Sequence, residues 1–333
     1  MHPKRMSRRW ILTLLFVLCL AWSSPANAKI PVILSTDVGN EIDDQWAIVY
    51  LLTSPEFEVL GIVSAHAPNI SPPAGHTAYR ILLDVVENRL KMASHPPLFA
   101  GASLPLEDAK TPRPNAGVNF IIETSKRFSK DNRLTVLTIG AVTDAASAIL
   151  KDPTIVDRIR IVDMGFKNWP DGDDEFNVAN DVKAMQVVFD SGVPLVVGAD
   201  DVCRAHLALS LDEAKEMVSD KGPVGRWLWE EFLAALSRHR GFIKPRREDD
   251  FPKLMIIWDN VVLAYLLGMT TQETYPRPRL KDDISFERVQ TNRTVTWITS
   301  VDEKRLWADF LKKLEIYQRT HAVGQEESRA FLP

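Results

Sequence analysis

Ten residues near the start of the chain, Ser35-Thr36-Asp37-Val38-Gly39-Asn40-Glu41-Ile42-Asp43-Asp44, hold four carboxylates. Like charges this close raise one another's pKa unless a cation or strong hydrogen-bond donors keep them ionised. Every candidate ligand in the stretch is an oxygen, and none is Cys or His. That donor set points to a hard divalent cation, Ca²⁺ or Mg²⁺, and away from Zn²⁺. The same residues also fit a plainer reading: a capped helix start whose acidic side chains face the positive end of the helix dipole.

Such a cluster does chemistry only where regular elements aim it. Residues 30–34 are a short apolar run that reads as a buried strand, and residues 45–52 continue from the acidic turn with helix-forming spacing. Further strands are predicted at 59–63, 98–100, 135–138, 159–163 and 194–197. Helices are predicted between them, at 43–52, 74–90, 117–128, 143–150 and 181–189. This alternation predicts an α/β fold with an open, mostly parallel sheet flanked by helices. No Gly/Ser linker, repeat or low-complexity tract interrupts it, so residues 29–333 read as one domain. In such sheets ligands bind outside the carboxyl ends of the strands, where Asp37, the 66–69 loop, Thr143 and the 164–177 loop fall.

Past residue 199 a long helical region is expected over 211–239, with Trp227, Trp229, Phe232 and Leu236 as a core stripe. A charged loop follows at 244–250, and then an apolar run reaches Trp258-Asp259 and opens a helix through residue 267. Residues 285–290 and 294–299 are expected to pair as a C-terminal hairpin around Asn292. Asp302 is expected to cap a final helix to about residue 319.

Composition narrows the partners. Lys4, Arg5, Arg8 and Arg9, an apolar stretch over 11–22 and Ala26-Asn27-Ala28 follow the order of a secretory signal peptide cleaved after Ala28. The apolar stretch is too short to span a bilayer. Ser7-Arg8-Arg9-Trp10 also loosely resembles a twin-arginine export signal. The expectation is therefore a periplasmic or secreted chain with no membrane contact after cleavage. Four basic and no acidic residues fall in that leader, leaving 36 basic against 44 acidic side chains. This excess of acid disfavours nucleic acid as a partner. Cys19 leaves with the leader, so Cys203 stands alone and no intramolecular disulfide staples the mature chain. Cys203 is expected as a small buried hydrophobe, and His66 and His239 as satisfied surface or helix-terminal histidines, although His66, after a strand, could face a bound base.

The acidic turn resembles the N-terminal signature of the inosine-uridine-preferring nucleoside hydrolase family, in a longer variant reading Asp-Thr-Asp-Ile-Gly-Thr-Asp-Ile-Asp-Asp. Thr36, Asp37, Gly39, Ile42, Asp43 and Asp44 match, while Ser35 stands in place of the first Asp. Further blocks resemble the same family in the same order, over residues 29 to about 317. They are Ala100-Gly101-Ala102 with Pro105-Leu106, Gly140-Ala141-Val142-Thr143-Asp144, Glu175-Phe176-Asn177 and Trp258-Asp259. The resemblance implies a Rossmann-like nucleoside hydrolase fold, a homodimer or homotetramer, and Ca²⁺-dependent hydrolysis of the N-glycosidic bond of ribonucleosides.

It also implies roles. Asp37, Asp44 and Asp259 would bind Ca²⁺ through carboxylates and Thr143 through its backbone carbonyl, with Asp37 as general base. Asp43, Asn69, Asn168, Glu175 and Asn177 would bind the sugar, with Glu41 a rival in the longer turn. The chemistry is coherent, because breaking the bond builds positive charge on the anomeric carbon and ring oxygen, which carboxylates stabilise. Where many relatives offer a His before the last Asp, this chain has Trp258, which has no proton to give at neutral pH. An indole can stack on a purine, so the expectation leans to purine nucleosides. The alternative is an exported protein that binds ribonucleosides with little or no turnover.

Overall fold

The computed structural model describes residues 28–238 and 254–330. Residues 1–27 of the expected leader, His239 and the charged 244–250 loop lie outside the described residues. In β1 (Ile30–Thr36), Val32 and Leu34 enter one core and Ile33 the other. A strand buried on both faces is the mark of a parallel sheet covered by helices on each side. The remaining strands are β2 (Phe57–Ser64), β3 (Leu98–Ala100), β4 (Leu134–Ile139), β5 (Ile159–Met164) and β6 (Leu195–Gly198). After these come β7 (Ala208–Ser210), β8 (Leu254–Ile256), β9 (Thr270–Pro276), β10 (Arg279–Leu280), β11 (Phe286–Glu287) and β12 (Thr294–Val301).

Eight strands form one sheet in the order β3-β2-β1-β4-β5-β6-β12-β9. All neighbours are parallel except β9, which runs antiparallel to β12 at the edge. The order reverses between β1 and β4, and the crevice outside their carboxyl ends is where doubly wound sheets bind ligands.

The helices are α1 (Asp43–Thr53), α2 (Ala74–Asp84), α3 (Ala116–Ser125), α4 (Thr143–Lys151), α5 (Phe176–Asn180) and α6 (Val182–Asp190). They continue with α7 (Asp200–His206), α8 (Leu211–Val218), α9 (Gly222–Arg238), α10 (Asn260–Leu266) and α11 (Glu303–Ala330). One core gathers α1, α2 and α7 to α11, and the other gathers α3 to α6. Trp46 of α1 is fully buried, with ring centroids 5.4 Å from Phe310, 6.0 Å from Trp307 and 6.4 Å from Phe232. Truncating such a side chain costs about 3–5 kcal/mol. The Tyr50 hydroxyl donates to Asp309 at 2.6 Å, and Lys313 pairs with Asp309 at 2.6 Å and Glu56 at 2.9 Å. These contacts lock α11 against α1, the helix that carries Asp43 and Asp44.

Two expectations are corrected. The 211–239 region is two helices, because the chain turns at Gly222, whose φ of +71° lies in the left-handed region that glycine tolerates best. The hairpin around Asn292 does not form. β12 pairs instead with β9 and β6, while β11 pairs with β10, so the strand-forming alternation was real and the partners were further away. The core stripe on α9 and the Asp302 cap are present, the latter accepting from Arg305 N at 3.1 Å.

Candidate active site

Asp37 follows directly on β1, and Gly39, at φ +104°, turns the chain so that Asn40 N donates to Asp37 O at 3.1 Å. A side chain at Gly39 would also meet Ile81 Cδ1 at 2.3 Å. The helix start that follows is capped by Ile42, which offers no side-chain hydrogen bond. Asp43 and Asp44 therefore are not the caps that the plainer reading supposed. They line a cavity of about 240 Å³ together with Asp37, Glu175, Trp258 and Asp259.

Carboxylate oxygens of Asp43, Asp44 and Asp259 lie within 4.8 Å of one another, so a residue near the start of the chain and one 215 positions later converge. All three are buried, as is Asp37. Asp44 accepts the Thr36 hydroxyl, and Gly140 is close enough that a Cβ there would lie 2.9 Å from Asp37 Oδ1. Burial first, and then mutual repulsion, pushes Asp37, Asp44 and Asp259 well above the ordinary carboxylate range. Burial pushes Asp43 up to about 7, although hydrogen bonds within the cluster oppose it. Asp37 Oδ2 is buried and has no hydrogen-bond partner among the described residues. A cluster of oxygen donors that repel one another, one of them unsatisfied, fits a hard divalent cation.

The opposite wall is built on the loop after β5. Glu175 caps α5: its carboxylate accepts from Asn177 N at 3.0 Å, Val178 N at 3.1 Å and Phe166 N at 3.2 Å. Phe166 is held at φ +66° while making that bond, a left-handed conformation that costs a bulky residue energy. Burial raises Glu175 to about 7 against those three donors. Asn177 Nδ2 donates to Met164 O at 3.2 Å, which orients the amide beside the cavity. Asn69 also lines it and donates to Asn40 Oδ1 at 3.1 Å. Glu41 lines it as well.

Neither Thr143 nor Asn168 lines this cavity. Thr143 opens α4 with its hydroxyl turned away, donating to Asp181 Oδ2 at 2.6 Å and lying 2.9 Å from His66 Nε2. Asn168 instead pairs through its backbone with Gly172. The residue of β4 that does line the cavity is Ile139, beside Gly140 and Asp37. His66 is buried rather than at the surface, 2.9 Å from the Thr143 hydroxyl, and burial lowers its pKa. Cys203 is buried too, with its thiol pushed up by that burial. Among the lining residues that escaped the sequence reading are Asp200 and Arg204 of α7. Asp200 lies just past β6, so the strand-end rule extended to that strand would have found it.

Buried carboxylates at the switch point of a doubly wound sheet, with oriented amides and a capped glutamate opposite, make up the site of a metal-dependent hydrolase. The profile of the inosine-uridine preferring nucleoside hydrolases matches residues 32–308, and the chain belongs to that family of enzymes acting on N-glycosyl compounds. The pyrimidine-specific ribonucleoside hydrolase RihA of Salmonella agona is 29% identical over 202 residues, 52% of this chain and 61% of that protein. An uncharacterised protein of Schizosaccharomyces pombe is 30% identical over 229 residues, 59% of this chain and 70% of that one. Among solved structures, a purine-preferring ribonucleoside hydrolase from Gardnerella vaginalis superposes with a TM-score of 0.68 at 21% identity, covering 87% of this chain and 99% of that one. A plant nucleoside hydrolase gives 0.67 at 18% identity, covering 86% and 99%. Both share the fold.

Proposed function

We propose that the chain is an exported, Ca²⁺-dependent ribonucleoside N-ribohydrolase that prefers purine nucleosides and releases the free base and ribose. The convergence of Asp43, Asp44 and Asp259 within 4.8 Å, in one cavity with the unsatisfied Asp37, carries this reading. Asp37, Asp44 and Asp259 would hold the cation, with Ile139 in place of Thr143 as the main-chain donor. When bound, the cation keeps these carboxylates ionised and polarises water and sugar hydroxyls. Asp37 takes the proton of the attacking water, while Asp43, Asn69, Glu175 and Asn177 grip the sugar hydroxyls. The surrounding carboxylates stabilise the positive charge that grows on the sugar ring. A 2′-deoxyribose would leave buried polar groups unpaired, which selects ribose.

Trp258 at the cavity wall supports a purine, whose broad face matches an indole. The likeness to a protein described as pyrimidine-specific pulls the other way, and substrate assays decide between them. Export rests on the leader-like N-terminus, and a homodimer or homotetramer on the family resemblance. Inosine, guanosine, adenosine and uridine should be assayed with EDTA and with Ca²⁺. Purine release that EDTA abolishes and Ca²⁺ restores is the expected result; no base from any of the four would sink the proposal. Trp258 has its N–H committed to Asp200, which leaves it no proton for a base and keeps a binding-only role in view. Calorimetric binding of ribonucleosides without turnover would favour that role.

A further inference from the structure

An acidic cavity solves half of the reaction and aggravates the other half. When the glycosidic bond breaks, the sugar becomes positive and the base leaves with the electron pair, so carboxylates that stabilise the sugar repel the base. Among the described residues, eight carboxylates line the cavity, against two cations, Lys167 and Arg204. Lys167 sits 3.9 Å from Asp173 with a side chain that is 44% exposed. Arg204 is about as exposed, at 48%, but is held by Asp200 and Trp258. Asp200 Oδ1 accepts the Trp258 Nε1 hydrogen at 2.5 Å, and Asp200 Oδ2 accepts Arg204 Nε at 2.6 Å. The guanidinium carbon lies 5.6 Å from the centroid of the Trp258 ring. One carboxylate thus fixes an indole and a guanidinium as a unit. The clamp uses the indole N–H and Arg204 Nε, while both terminal nitrogens of Arg204 form no hydrogen bond among the described residues.

Resting on the ribonucleoside reading above, we propose that Arg204 receives the departing base, donating from its terminal nitrogens to N7 and O6 of a 6-oxopurine. A guanidinium stays charged in proteins and so does not serve as the acid. It does match the paired acceptors on that edge of guanine and hypoxanthine, whereas adenine shows a donor beside N7. The step balances without another reactant. Water adds its oxygen to the anomeric carbon and yields a proton to Asp37; the C–N pair leaves on the base, whose negative charge Arg204 stabilises until bulk water protonates it. Asp37 then returns its proton to solvent.

The test compares Arg204→Gln with the wild type on inosine, adenosine and p-nitrophenyl riboside, whose leaving group is stable as an anion. Arg204→Gln should lose roughly 10²-fold in kcat on inosine, the usual effect of removing one preorganised charge-stabilising donor. It should lose less on adenosine and at most about threefold on p-nitrophenyl riboside. Arg204→Lys, which keeps the charge without the fork, should lose less on inosine than Arg204→Gln. Melting curves establish that each variant is folded. Equal losses on all three substrates in folded variants, or no loss on inosine, would overturn the assignment. Equal losses on inosine and adenosine alone would overturn the edge contact. A wild-type enzyme that releases neither base nor p-nitrophenolate would instead defeat the ribonucleoside reading, and this assignment with it.

Discussion

The chain buries two groups of carboxylates near the carboxyl ends of its strands and treats them in opposite ways. Behind α4, Asp181 accepts from Ala184 N and Leu106 N at 2.9 Å and from the Thr143 hydroxyl at 2.6 Å. Beside it Asp144 accepts from Asn115 Nδ2 at 2.7 Å and Ala102 N at 3.1 Å, and burial raises it to about 6. In the cavity, Asp37 keeps a buried oxygen with no partner among the described residues, and Asp44 and Asp259 face like charges. Burial alone does not mark a functional acid. What separates the groups is their neighbours: protein donors complete Asp181 and Asp144, whereas in the cavity four carboxylates crowd together and Asp37 keeps an oxygen with no partner among the described residues.

The largest effect that could break this contrast is on turnover. Asp37→Asn should lower kcat on the preferred nucleoside by about 10³-fold or more while the melting temperature stays nearly unchanged, since it removes a base and an unsatisfied charge together. Near-normal turnover would return Asp37 to the structural group. In the opposite sense, Asp181→Ala strips three donors of their acceptor and α6 of its cap. It should cost about 3 kcal/mol or more in urea unfolding, with activity per folded molecule retained.

A third, smaller effect sharpens the comparison through pH. Asp43 and Glu175 are raised to about 7 from 3.8 and 4.5, so folding without a cation favours their protonated forms. The stability they contribute is complete below about pH 4 and is lost as pH rises through about 7. A cation that binds the ionised cluster offsets the loss, by about 2.7 kcal/mol at a hundredfold excess over Kd. The gap in melting temperature between Ca²⁺ and EDTA should therefore widen from pH 4.5 to 7.5. A gap that is flat across this range would mean the cluster is not the cation's site.

The same contrast accounts for what was legible in the sequence. The acidic turn was conspicuous because its four carboxylates are neighbours in the chain, and Glu175-Phe176-Asn177 because its residues are contiguous. Thr143 lies a few residues past Ile139, the β4 residue that lines the cavity, and nothing local in the sequence says which of the two faces it. Asp200 and Arg204 carried no signal apart from following a strand, because their meaning depends on Trp258, more than fifty positions away.

By itself the sequence determined the alternation of strands and helices, the doubly covered sheet and the oxygen-only chemistry of the turn. Those follow from periodicity and side-chain type, which act over a few residues. Strand partners, the convergence of Asp259 on Asp43 and Asp44, and the sorting of buried acids into satisfied and unsatisfied were decided by tertiary structure. Each depends on which donors arrive from distant segments, and a low-dielectric interior makes the arrival or absence of one donor decisive.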